Sequence, residues 1–545
     1  MQLNRAVIER LTANGIDTVF GIPGKQTLPL NEAIDDAEGI RFVVARHETA
    51  VTHQAWGYAE TSGDLAATIV VPGPGDMNAM NGLKNASNDC TPLVHFAVET
   101  GPEIRGGDGI HETPPDTYDN VVKSNVLVER PEGAAAVIEE AIATAQTPPK
   151  GPVRIGIPKP FLRRTVPVAT PGEYGRNGVE GVAEADIEAA ATALARADRP
   201  VVLAGGGVRA AGASDGLKRV AERLGAPVVT SYKGKGVIAE DDALSAGTLS
   251  GSAAPELLEL LAESDALLAV GTDLDAVATR GWSVGLPEEI VHVTLAPDDL
   301  GNGYDPTVGI VADAGEALDG LEGALAERAV STGSGAERAG AVREATADRI
   351  EPLRARRPLT SVGALEAVRE AVPRAATVAV DAGGFRVWAL NVFDAYGPRS
   401  YVNPGSWATM GTGLPSGIGA QLAKPEDDVV VLTGDGGLMM CVHELHTAVS
   451  EAIPLTVVVF SNHDYAIISE EADRSYGFGS GAYGWSDAPI DFVSLAESVG
   501  MDAERAETPT EIRTALGRSL DADGPTLIEV PTDPEEPQAS AWMAE

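Results

Sequence analysis

Two polar breaks in apolar runs, set 27 residues apart, constrain this chain more than any other feature. Gly434-Asp435-Gly436 closes the run VVVLT, and Asn462 closes the run LTVVVFS, 462 − 435 = 27 residues later. The stretch between them reads as one amphipathic helix, so the segment is a single βαβ unit. Strands joined in this way run parallel with a right-handed crossover, and both carboxyl ends open on the same sheet edge. Asp435 and Asn462 then reach one hard cation through oxygen. Mg²⁺ takes near-octahedral oxygen ligands and commonly shares them with phosphates. A helix beginning at Gly437 directs its unpaired N–H groups at the same point, where an anion is stabilised. Gly-Asp-Gly alone is an ordinary turn; with this spacing it specifies a diphosphate site bridged by a metal.

At 545 residues the chain exceeds one core, and three domains are expected. Strand-like runs (TVFGI, IRFVVA, AATIVV, PLVHFAV, GPVRIGIP) alternate with helical patterns over 1–165. The same rhythm returns over 186–330 (PVVLAGGGV, APVVTS, ALLAVGTDL, EIVHVTL) and over 358–545 (ATVAVDAGG, VVVLTGDGG, LTVVVFSN, PTLIEVPT). The Pro- and Gly-rich stretch 166–185 and the Gly-rich, then charged, stretch 331–357 read as linkers. The expected fold class is α/β: three doubly wound, Rossmann-like domains with mainly parallel sheets.

Asp and Glu number 80 against 40 Lys and Arg, a formal net charge of −40. The acid is spread along the chain and Lys is scarce, which reads as a solvated surface suited to high salt, where self-repulsion is screened. Nucleic acid and anionic membranes are disfavoured as partners. Cys90 and Cys441 are the two cysteines. Both lie in apolar contexts and are expected to be buried thiols in a reducing compartment, with no disulfide framework. No apolar run is long enough for a signal sequence or a membrane span, so a soluble cytoplasmic protein is expected.

The spacing of Gly-Asp-Gly to Asn resembles the signature of the thiamine-diphosphate (ThDP) enzymes, with Ser461-Asn462 replacing the usual Asn-Asn. The resemblance makes Asp435 and Asn462 metal ligands and the backbone carbonyl of Asp464 a third. ARHETAVTHQAWGYAETSG resembles the family's RHE…GYAR…TG segment, in which the residue at Glu48 hydrogen-bonds N1′ of the aminopyrimidine. Sharing a proton there favours the imino tautomer that deprotonates the thiazolium, and such a carboxyl needs an apolar pocket. His47 reads as structural. NPGSWATMGTGLPSGIGAQLA resembles the segment whose bulky residue, here Met410, wedges beneath the cofactor, with the backbone at Ala408 and Met410 bonding the pyrimidine edge. Gly383, Gly384, Gly434, Gly436 and Gly437 are expected to bring backbone against the diphosphate. Ile468 is counted among the cofactor-binding positions and stands where pyruvate decarboxylases carry a catalytic Glu.

For the substrate, Lys25 in FGIPGKQTLPL lies in the loop that faces the thiazolium in the family, and His111 in GDGIHETPPD occupies the place of a synthase Gln. Both are candidate catalytic residues, His111 as an acid or base and Lys25 against a carboxylate; solvent-exposed or structural roles are the plain alternatives. Lys123 aligns with a Lys of the synthases. Gly205-Gly206-Gly207-Val208-Arg209-Ala210 fits GxGxxA without an acidic partner about 20 residues on. The middle domain therefore stays open between FAD, ADP and no ligand. His443 and His446 flank Glu444 without zincin spacing and read as a helix face.

Taken over nearly the whole chain, the resemblance implies a ThDP- and Mg²⁺-dependent, acetolactate synthase-like enzyme acting on a 2-oxo acid. Decarboxylation would be followed by carboligation or aldehyde release, in a homodimer or homotetramer with Glu48 of one chain facing Asp435 of another. His111 in place of Gln, and IISEEADRSYGFGSG in place of an MVRQWQ-like segment, leave the product open. Three alternatives stand beside this reading: a 2-oxo acid decarboxylase without ligation, a flavin- or nicotinamide-dependent oxidoreductase using the GGG loop, and a catalytically silent ThDP-fold protein. The last would be expected to have lost Glu48 or the metal ligands, and both are kept.

Overall fold

The computed structural model describes residues 1–107, 111–114, 116–167, 181–330 and 334–543. Three six-stranded sheets form in succession, and every pairing between their strands is parallel. The first holds β1 (Thr18–Gly21), β2 (Arg41–Val44), β3 (Ala66–Val70), β4 (Leu93–Glu99), β5 (Ser124–Leu127) and β6 (Val153–Pro158). The second holds β7 (Pro200–Ala204), β8 (Val228–Ser231), β9 (Ser245–Leu249), β10 (Ala266–Val270), β11 (Glu289–Thr294) and β12 (Val308–Val311). The third holds β13 (Thr377–Val380), β14 (Tyr401–Val402), β15 (Val429–Gly434), β16 (Thr456–Ser461), β17 (Asp502–Arg505) and β18 (Thr526–Pro531). Central strands such as β3, β10 and β16 are buried along their whole length, which is why they read as unbroken apolar runs.

The strand orders decide where ligands can bind. The first sheet runs β2-β1-β3-β4-β6-β5 and the third β14-β13-β15-β16-β18-β17, so the two share one topology. The middle sheet runs β12-β11-β10-β7-β8-β9, the order of dinucleotide-binding folds. The chain first reverses its direction of travel between the neighbouring strands β1 and β3, β7 and β10, and β13 and β15, and in the first and third sheets it turns back once more at the far edge, from β5 to β6 and from β17 to β18. A crevice opens beyond the carboxyl ends at such a switch point.

Five strands that the sequence pattern did not disclose, β5, β9, β12, β14 and β17, all lie at or next to a sheet edge. Several are half exposed (β5, β12, β17) and lack an apolar run. The stretch 331–357, expected as a linker, instead carries the helix Gly335–Arg354. Its Ala339 and Val342 enter a core of the middle domain, and its Ile350 and Leu353 enter a core of the third. Most of the other expected linker, 168–180, lies outside the described residues. The single helix expected between Asp435 and Asn462 is two, Asp435–Cys441 and Glu444–Ser450, and the first begins at Asp435 rather than Gly437. Cys441 is buried, but Cys90, expected to be buried, is exposed after the end of the Pro74–Asn88 helix. Among the described residues no helix is long and apolar enough to cross a membrane.

The first and third domains share a core built on two helices, Glu48–Ser62 and Gly413–Ala423, with Trp56, Tyr58, Leu414 and Ile418 between them. The helices meet backbone to backbone. A Cβ on Gly57 would lie 2.2 Å from the Ser416 carbonyl oxygen, and one on Gly419 would lie 1.9 Å from that of Gln54. Lys233 then joins all three domains, donating to Glu60 (2.8 Å), Asp89 (2.9 Å) and the Asn403 carbonyl (3.0 Å). Gly419→Ala is expected to lower the urea midpoint, with a loss of about 1–3 kcal/mol for an overpacked contact. Gly323→Ala, on a helix with open space at that position, is expected to be neutral or to stabilise by up to about 1 kcal/mol. Equal midpoints for the two variants would refute the close crossing.

Candidate active site

The switch point of the third sheet is a glycine-lined hollow. β13 ends in Val380, followed by Asp381, Ala382, Gly383 and Gly384; β15 ends in Gly434, followed by Asp435. Helices start at Gly384 and Asp435, and their first-turn N–H groups have no partner within the helix. Gly383 sits at φ +155°, a conformation that side chains disfavour. A Cβ on Gly384 would approach Gln538 Oε1 to 2.7 Å, one on Gly436 would meet the Tyr465 ring at 2.5 Å, and one on Gly437 would meet Asp381 Oδ2 at 2.6 Å. The hollow, about 150 Å³, is lined by these glycines with Gly434, Met410, Asp435, Asn462, Asp464 and Ile468. That is below the roughly 300–1,000 Å³ of a pocket that encloses a small ligand completely. It is half a site.

Asp435 is almost fully buried and accepts hydrogen bonds from the backbone N–H groups of Gly436 (2.7 Å), Asn462 (3.1 Å) and His463 (2.6 Å). Burial raises its pKa to about 6 despite those three donors. The Asn462 side-chain oxygen accepts from Asp464 N (3.1 Å), which folds residues 462–464 into a tight turn beside Asp435. Among the described residues no three His, Cys, Asp or Glu side chains form a metal cluster. The available donors here are a carboxylate, an amide oxygen and backbone carbonyls, hard oxygens that suit Mg²⁺ better than zinc. The glycine cradle and this donor set fit a magnesium diphosphate.

The first domain supplies a second cluster. Its own switch point carries Gly24 and Lys25 after β1 and the turn Gly73-Pro74-Gly75 after β3, with Glu48 starting the helix after β2. Glu48 accepts from Asn78 Nδ2 (3.1 Å), and a Cβ on Gly75 would stand 2.9 Å from Glu48 Oε1. His111 is exposed, its carbonyl accepting from Thr100 Oγ1 (2.7 Å), and Lys25 is exposed. Glu48, Lys25, His111 and Ala408 are absent from the lining of the Asp435 hollow. Within one chain the expected site residues thus form two groups. Ala408 lies between them at φ +42°, beside Thr409, which accepts from Asn81 of the first domain (3.2 Å). Lys123 donates to the carbonyls of Thr147 (2.5 Å) and Pro149 (2.7 Å), a structural role.

Two buried carboxylates, Asp381 and Glu444, and the half-buried Glu536 escaped the sequence reading. Asp381 accepts from Gly411 N (2.9 Å), Thr412 N (3.2 Å) and Thr433 Oγ1 (2.9 Å), clamping the Met410 segment to β13 and β15. Glu444, taken for part of a helix face, has no exposed surface. It accepts from the backbone of Arg46 (2.9 Å) and His47 (3.0 Å) and from Gln54 Nε2 (3.0 Å), so the third domain holds the turn that launches Glu48. Glu536 accepts from Ser361 N and Oγ (both 2.5 Å) at the rim of the hollow. Asp381 was open to detection, as a lone acid ending an apolar run; Glu444 and Glu536 were marked by nothing local. His443 and His446 pack as expected, with His446 Nδ1 accepting from Arg46 Nε (2.9 Å).

The middle switch point encloses about 350 Å³ beside Gly206 and Gly207. Asp273, Asp275, Asp299 and Asp313 line it, and burial together with Asp275 raises Asp273 to about 6. Arg209 and Lys233, also in the lining, are both engaged by Glu60 at 2.6 and 2.8 Å. Lys150 also lines the crevice, which therefore mixes acidic and basic side chains and assigns no ligand by its charge.

Comparison with known proteins accounts for this arrangement. Residues 1–120 match the thiamine pyrophosphate enzyme N-terminal TPP binding domain, 187–321 its central domain and 381–530 its C-terminal TPP binding domain. A probable acetolactate synthase large subunit of Methanococcus aeolicus is 30% identical, the alignment covering 97% of this chain and 92% of that protein. The acetolactate synthase large subunit of Parasynechococcus marenigrum is also 30% identical (96% and 86%), and a probable 2-ketoarginine decarboxylase of Pseudomonas aeruginosa is 32% identical (96% and 93%). The chain belongs to the thiamine diphosphate-dependent enzymes of the acetolactate synthase-like family.

Proposed function

We propose that this enzyme decarboxylates a 2-oxo acid with Mg²⁺ and ThDP, and then ligates the product to a second carbonyl compound or releases it as an aldehyde. The observation that carries the reading is the third switch point, where Asp435 and Asn462 meet a cradle of glycines. Asp435, Asn462 and the Asp464 carbonyl would hold the metal. Backbone at Gly383, Gly384, Gly436 and Gly437 would hold the diphosphate, Met410 would prop the bent cofactor, Ala408 would bond its pyrimidine, and Ile468 would wall it. Bound ThDP supplies an electron sink for the pair left when CO₂ departs. Glu48 holds the proton that this chemistry exchanges with the ring, and Glu444 fixes Glu48 by clamping its helix start. Lys25 would meet the substrate carboxylate and His111 would move a proton. FAD is not assigned a place.

Because Glu48 and Asp435 belong to separate groups in one chain, a second copy is the natural source of the missing half. We therefore assign sites shared between subunits of a homodimer or a dimer-based tetramer. A simple decarboxylase remains the second reading, favoured by the 2-ketoarginine decarboxylase relative and by His111 in place of a synthase Gln.

Supplying ThDP, Mg²⁺ and a panel of 2-oxo acids, with CO₂ and products followed by mass spectrometry, tests the reaction; no ThDP-dependent CO₂ from any of them would sink it. Glu48→Gln should lower kcat by about 10²–10⁴-fold while leaving the fold intact. Asp435→Asn should raise the Mg²⁺ concentration needed for half-activation by about 10–100-fold or more. Co-expressing the two variants tests the shared site. A mixed dimer carries one intact site and should regain about half of the parental rate, whereas sites made within one chain would regain nothing.

A further inference from the structure

The turn after β3 underlies two of the three catalytic candidates of the first domain, Glu48 and His111. Gly75 packs beneath the Glu48 carboxylate, and a Cβ on Gly73 would stand 3.2 Å from Glu112 N and 3.5 Å from the carbonyl carbon of His111. The next residue, Asp76, is completely buried and collects donors from three separate parts of the domain. Arg154, on β6, donates to Oδ2 through Nε (3.0 Å) and Nη2 (2.6 Å); Thr113 Oγ1 donates to the same oxygen (2.5 Å); Tyr118 donates to Oδ1 (2.8 Å). His95, on β4, shares a hydrogen bond with Oδ1 (2.9 Å), and its other ring nitrogen meets Thr68 Oγ1 (2.7 Å). Burial opposes the charge on Asp76, but His95 and the Arg154 guanidinium more than offset it and hold the carboxyl well below the usual range.

A helix start needs one or two acceptors, not this many converging donors. What the extra bonds secure is the segment after His111. Thr113 Oγ1 gives its proton to Asp76 and accepts from Gly73 N (3.1 Å), so one hydroxyl joins the His111 segment to the turn that also supports Glu48. We propose that Asp76, acting through Thr113, is a positioning residue that fixes His111 relative to Glu48 across the Gly73–Gly75 floor. This rests on the functional reading above, in which Glu48 serves the cofactor ring and His111 the substrate.

Asp76 is too enclosed for a clean replacement, so the test is made at Thr113. Thr113→Val keeps the shape and removes the hydroxyl; Thr113→Ser keeps the hydroxyl. Thr113→Val should lower kcat by about tenfold or more, with ThDP activation and thermal midpoint at parental values, and Thr113→Ser should restore the rate. Tryptic cleavage after the exposed Arg105, in the same loop, should quicken in Thr113→Val and not in Thr113→Ser. Parental cleavage in Thr113→Val overturns the tether, whether or not the protein turns over a 2-oxo acid. Faster cleavage with a parental kcat overturns the positioning role. A parent protein with no ThDP-dependent turnover overturns the functional reading instead, and the cleavage comparison still decides the tether.

Discussion

The crossing of the Glu48–Ser62 and Gly413–Ala423 helices governs the rest of the molecule. Gly57 and Gly419 let two backbones approach where any side chain would hold them apart. That approach brings the start of the first helix over Glu444, whose buried carboxylate needs donors and takes them from Arg46 and His47. Glu48 and the loop at Asp435 are thereby held in one frame, although they arise from different domains. The spacing of the two groups is a property of helix packing, and packed cores do not deform continuously.

Repetition of one architecture with different edges explains the division of labour. The first and third sheets share a strand order, yet glycines and a buried aspartate make the third switch point a cradle, whereas the first presents Glu48, Lys25 and His111. The middle sheet has the dinucleotide order and a GGG turn, but its crevice is lined by aspartates and its Arg209 and Lys233 are engaged by Glu60. Topology offers a ligand position three times; the side chains at each edge decide what it accepts.

Edge strands and buried carboxylates mark the boundary of sequence reading. Central strands such as β7, β10 and β16 announce themselves because both faces are covered, every position is buried and the interior positions are apolar. Strands β5, β12 and β17 are partly wet, so their residues carry no period. The Gly335–Arg354 helix looked like a linker because its apolar residues serve two different cores and form no single stripe. Cys90 has an exposed place in space, in the turn between the Pro74–Asn88 helix and the apolar strand β4.

The sequence by itself determined the parallel α/β class, the number of domains' worth of strand rhythm, and the Gly-Asp-Gly to Asn spacing, because these depend on neighbours along the chain and on the period of a buried strand. Only the tertiary structure decided that Glu48 and Asp435 fall into separate groups within the chain, that Glu444 clamps the first to the third domain, and that Asp76 gathers Arg154, His95, Tyr118 and Thr113. Those facts depend on which surfaces meet. A carboxylate buried among donors tens to hundreds of residues away looks, in sequence, like any other acid in a chain that carries 80 of them.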